Sequence, residues 1–104
     1  MKSLSMEARE SLLCDLLVKL QRGEIHEGEL LRKLRKEVLG MDQEGYAKLV
    51  GISRRTLSDI ERNRAAPSLK MINQVFRPFS MKMMLMPKSR ALQEQIATRL
   101  NAVD

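Results

Sequence analysis

Three features of this sequence predict an all-helical fold of five to six helices with one short C-terminal strand. Apolar residues recur at three- and four-residue intervals through most of the chain, the period of helices with one buried face. Ser or Asp stands before several of those stretches and Gly or Asn just after, where helix caps belong. The run FSMKMMLMPK breaks the pattern, with Met81, Met83 and Leu85 alternating with Lys82, Met84 and Met86 between Pro78 and Pro87.

Composition narrows the class. At 104 residues the chain is one domain with appendages around a single small core. It is 43% hydrophobic but only 3% aromatic and has no Trp, so that core is built of Leu, Ile, Val and Met. Nineteen Lys and Arg against thirteen Asp and Glu give +6, which suggests a polyanionic partner. The single cysteine, Cys14, excludes an intramolecular disulfide framework and a multi-cysteine zinc site, and fits a reducing cytoplasm. After Lys2 the apolar run is broken by Asp15 and Lys19, so no signal peptide is apparent. No stretch approaches the roughly 18 apolar residues of a membrane span. A soluble cytoplasmic protein with no membrane partner is expected.

The first helix spans 5–21, with Ser5 as N-cap, Leu12, Leu13, Leu16, Leu17 and Leu20 on one face, and Arg22 and Gly23 at its end. Cys14 lies beside that stripe and reads as a small, partly buried hydrophobe. GEIHEG, from Gly23 to Gly28, reads as a connector, and His26 within it as a solvated residue with no second ligand or nucleophile nearby. Residues 29–39 form the next helix, with Leu30, Leu31, Leu34, Val38 and Leu39 apolar. Around them are Arg32, Lys33, Arg35 and Lys36, a solvated face or a set of phosphate contacts. Gly40 closes that helix left-handed.

Gln43 to Arg64 is the centre of the chain. Asp42 caps a helix running to about Val50, Gly51 makes a tight turn, and Ser53 caps a second helix. Tyr46, Val50, Ile52, Leu57 and Ile60 are spaced to pack two steeply crossing helices on a third, the form of a helix-turn-helix. Asn63 suits the left-handed position that ends the second helix. Ser68 caps a helix over 69–79 burying Leu69, Ile72, Val75 and Phe76, with Pro78 at its end. The segment 81–86 reads as a strand, and a lone strand in a helical chain needs a partner. Pairing with the same strand of a second molecule across a twofold axis supplies one, making Met81, Met83, Met84 and Leu85 the dimerisation residues of a homodimer. Ser89 then caps a helix over 90–103 with Leu92, Ile96, Leu100 and Val103 in a narrow stripe. The domains expected are an N-terminal amphipathic helix (1–23), a helix-turn-helix domain (29–80) and a dimerisation strand with a C-terminal helix (81–104).

A helix-turn-helix places the leading residues of its second helix against base edges in the DNA major groove. Arg54 and Arg55 follow the cap directly, and arginine grips guanine O6 and N7 with two hydrogen bonds. Thr56 offers a methyl for thymine or a hydroxyl for phosphate, and Asp59 accepts from cytosine or orients Arg55. Gln43, Ser53, Ser58, Arg62, Asn63 and Arg64 ring this unit as phosphate contacts. No cofactor is expected, and no nucleophile–base pair, metal cluster or phosphate loop argues for an enzyme.

Residues 31–80 resemble the Cro/C1-type (Xre) helix-turn-helix family, which has the lambda-repressor-like fold. The likeness rests on Leu31, Leu34, the Q-x-x-Y-A of Gln43 to Ala47, Gly51-Ile52-Ser53, Thr56-Leu57-Ser58, Ile60-Glu61-Arg62 and Pro67. In that family a first-helix arginine pairs with the glutamate matching Glu61, which implies a structural role here. Arg35 lies one residue further from Gln43 than is usual. An inserted residue near Val38–Leu39 would reconcile this, and Lys36 is the alternative partner. The tail after 80 looks like the HipB branch of antitoxins, whose post-domain strand forms an intersubunit ribbon. The resemblance implies a homodimeric, autoregulatory repressor on a palindromic double-stranded operator, in the cytoplasm and nucleoid-associated when bound to DNA. The alternative is an antitoxin that neutralises a kinase-like toxin and uses DNA binding for autoregulation.

Overall fold

In the computed structural model, residues 4–102 are described; Lys2 and Val103, named above, lie outside them. Six α-helices carry that span, joined by short caps. The Ser5 hydroxyl accepts the Ala8 N–H at 3.1 Å and starts α1 (Met6–Gln21). Leu16 is buried on it, and Leu12, Leu13, Leu17 and Leu20 pack on the core beside it. Cys14 is exposed rather than partly buried. It stands two positions from Leu16, roughly 200° around the helix, and so faces away from the core.

The connector is shorter than expected. His26 is half-buried, not solvated, and its Nδ1 accepts the Glu29 N–H at 3.2 Å, so α2 (Glu27–Lys33) begins before Gly28. Gly28 is buried in the first turn, where a Cβ would overlap the carbonyl oxygen of Ile60. The backbones of two helices touch there, and only glycine fits. Past Lys33 the helix continues in π-helical turns over Leu34–Leu39, and Gly40 closes it left-handed at φ 63°. A π turn takes up one residue more than an α turn. It therefore accommodates the extra residue that the Arg35–Gln43 spacing carries.

Asp42 caps α3 (Gln43–Val50), its Oδ1 accepting the Gly45 N–H at 2.7 Å. Gly51 turns the chain at φ 79°, and Ser53 caps α4 (Arg54–Glu61). Asn63 holds the left-handed position after it at φ 58°, and the Arg64 N–H reaches back to the Asp59 carbonyl at 2.8 Å. Ser68 caps α5 (Leu69–Val75), and a 3-10 turn over Arg77–Phe79 contains Pro78. Ile72, Val75 and Phe76 are buried as expected, whereas Leu69 is 63% exposed. Side chains lean toward the helix N-terminus, so one at the first position overhangs the end of the core.

The centre of the core is Leu31, Leu34, Tyr46, Leu57 and Val75, each fully buried. Tyr46 satisfies its hydroxyl by donating to the Val75 carbonyl, and its ring stacks on Phe79 at 6.2 Å. Burial raises the pKa of that hydroxyl. After Ser80 the chain differs from expectation. Residues 81–88 run as irregular backbone, and no strand is present among the described residues. Nothing in a helical chain offers such a segment an edge to pair with. Met81 rests against the core, while Met83, Met84, Leu85 and Met86 are exposed. Ser89 caps α6 (Arg90–Asn101), which buries no residue and shows Leu92, Ile96 and Leu100 to solvent.

Candidate nucleic-acid interface

The turn between α3 and α4 is stiff for local reasons. The N–H groups of Gly51 and Ile52 both reach the Ala47 carbonyl, at 2.9 and 3.0 Å. Gln74 of α5 donates to the Val50 carbonyl at 2.7 Å and ties the turn to the body. At the start of α4, Ser53 accepts the Thr56 N–H at 3.0 Å and donates its hydroxyl proton to Thr56 Oγ1 at 2.7 Å. The Thr56 methyl and its own hydroxyl proton remain for a ligand. Arg54 and Arg55 are exposed in this first turn, while Thr56, Ser58 and Asp59 are half-buried. Asp59 makes no ion pair with Arg55 among the described residues. Arg62, Asn63 and Arg64 are exposed just beyond the helix.

Behind that surface lies the buried pair. Arg35 Nε donates to Glu61 Oε2 at 2.8 Å and Nη2 to Oε1 at 2.9 Å, while Nη1 donates to the Met41 carbonyl at 2.8 Å. Gln43 Nε2 donates to Glu61 Oε1 at 3.0 Å. Hydrogen bonding to Glu61 raises the Arg35 pKa. The arginine is the partner, and Lys36 is exposed. This bidentate geometry joins the α2 extension, the start of α3 and the end of α4 in one fixed frame.

Arg32, Lys36, Arg54 and Arg62 line a cleft of about 750 Å³ beside that pair, with Asp42 and Gln43 on its wall. Arg32 and Lys36 had been readable only as part of a basic face. Their spacing of four, flanking Arg35, is the signal that puts them on one side of a helix. The four proposed dimerisation residues do not behave alike: Met81 is half-buried, and Met83, Met84 and Leu85 are exposed. The described residues contain no cluster of His, Cys, Asp and Glu able to hold a metal ion. None of their helices is long and apolar enough to cross a membrane.

Comparison with known proteins agrees with this geometry. A family model described as Helix-turn-helix matches residues 31–79. An uncharacterized HTH-type transcriptional regulator of Methanothermobacter thermautotrophicus is 42% identical over 48 residues, covering 46% of this chain and 68% of that protein. No solved structure matches the chain.

Proposed function

The chain belongs to the Cro/C1-type helix-turn-helix family, and on that footing we propose that it is a sequence-specific transcriptional repressor, acting as a homodimer on a palindromic operator in its own promoter. The observation that carries the reading is the pair Arg54 and Arg55, both exposed in the first turn of a helix whose cap, turn and far end are all pinned. Those are the positions from which a recognition helix reaches base edges. A bidentate arginine on guanine discriminates by roughly 1–3 kcal/mol. The cleft cations and the residues past α4 hold the flanking phosphates and set the register without reading sequence. Two copies about a twofold axis read half-sites about 34 Å apart.

Footprinting tests this. Arg54→Ala and Arg55→Ala should each lose the protected operator while keeping weak, salt-sensitive binding. Protection by both variants equal to that of the parent chain would remove α4 as the reading head.

One observation favours a second role. Leu92, Ile96 and Leu100 form an exposed stripe on α6 with no partner among the described residues, as an antitoxin docking a toxin would carry. Expression of the gene with its neighbour should then yield a co-purifying pair; recovery of this chain alone would set that role aside.

A further inference from the structure

Apart from any role on DNA, we infer that the pocket between α1, α2, α5 and the chain just after Ser80 binds a free α-amino acid with a large apolar side chain. Its volume is about 200 Å³, and Leu17, Leu20, Ile72 and Phe76 line it together with Met81 and Met83. The lining contains two charged residues, Glu27 and Lys82.

Both charges are held where they are. The Met81 N–H reaches the Phe76 carbonyl at 3.4 Å, and the Met83 N–H reaches Asn73 Oδ1 at 2.8 Å. Lys82 lies between these two bonds, so its backbone is fixed beside the pocket. Glu27 is the first residue of α2, whose start His26 caps. The two side chains are opposite in charge and exposed, and neither makes an ion pair among the described residues. A ligand that satisfies the whole lining brings an ammonium for Glu27, a carboxylate for Lys82 and an apolar body between them. Leucine and phenylalanine have that make-up.

Size points the same way. Sites for drug-sized ligands run from about 300 to 1,000 Å³, so this pocket takes something smaller. At about 30 Å³ for each water-sized group it holds roughly seven heavy atoms. That is one branched or aromatic side chain, with its charged groups left at the solvent edge. The two methionines are unbranched and adapt their shape to whichever side chain enters. Exposed charge contacts are each worth up to about fivefold in affinity, whereas burying the side chain is worth roughly ten- to a hundredfold. The apolar body therefore sets a dissociation constant on the order of 1 mM, and the charges choose among ligands that share it.

The test titrates the full chain, labelled in its Leu, Ile and Met methyl groups, with L-leucine and L-phenylalanine, followed by NMR. The methyl signals of Leu17, Leu20, Ile72 and Met81 should move and saturate with at least one of the two. L-Alanine, the same zwitterion without the apolar body, should bind about tenfold or more weakly. Leucine lacking its ammonium (4-methylpentanoate) and leucine lacking its carboxylate (3-methylbutylamine) should each bind about two- to fivefold more weakly than leucine. Glu27→Gln should weaken leucine and the amine but not the acid, and Lys82→Met should weaken leucine and the acid but not the amine. No saturating shift with either amino acid overturns the site. Equal affinity for leucine, the acid and the amine, or losses that ignore which charge was removed, overturns the amino-acid class. Signals that move with protein concentration and not with ligand, as a larger species appears in light scattering, assign the pocket to a second copy and overturn it as well.

Discussion

Glu61 ties α4 to the body through Arg35 and Gln43, and each of its oxygens has a partner. Removing one member of a buried ion pair leaves the other charged and dry, at a cost of about 3–5 kcal/mol. Arg35→Ala should therefore lower the urea midpoint strongly, as followed by circular dichroism. Arg35→Met combined with Glu61→Leu should recover most of that loss, because the charge left behind is also gone. Lys36 is exposed and makes no ion pair with Glu61 among the described residues. If the double variant is as unstable as the single one, the pair stabilises by more than mutual charge compensation.

The π-helical stretch Leu34–Leu39 lets a one-residue excess coexist with a family contact. Glu37 is exposed within it and makes no side-chain bond among the described residues. Deleting Glu37 should restore α-helical turns, keep Arg35 on Glu61 and leave operator binding intact, with a melting temperature within about 5 °C of the parent. Loss of operator binding would show that the π turn positions something an α turn cannot. The caps were legible in the sequence because capping is local. Ser5, Asp42, Ser53, Ser68 and Ser89 each bond the N–H three residues on, and Gly40, Gly51 and Asn63 are left-handed. Other features depended on tertiary context and were not legible. The exposure of Cys14 depends on which way α1 rolls, His26 caps only because α2 starts at Glu27, and the π turns answer a constraint from α4. The arginines of the candidate site could be read directly, while the cleft they share with Arg32 and Lys36 needed the fold.

At the scale of the whole molecule the +6 charge is not spread evenly, since four exposed cations gather at one cleft next to α4, the proposed recognition helix. Arg32→Ala and Lys36→Ala should each weaken binding to all sequences alike and reduce the slope of log K against log salt by about 1. Filter binding across a salt series reads this, and a change in sequence preference would mean that these side chains reach bases instead. The tail was the hardest part to read, because residues 81–86 alternate in the sequence yet run as irregular backbone in the structure, with no edge among the described residues to pair with. The contact at Gly28 has a consequence of another kind. Where two backbones meet with no side chain between them, there is no rotamer to yield, so a push on α2 reaches α4 undamped. A methyl group at position 28 could enter only by forcing α4 off α2, so the seating of the proposed reading head depends on a hydrogen atom well away from Arg54 and Arg55.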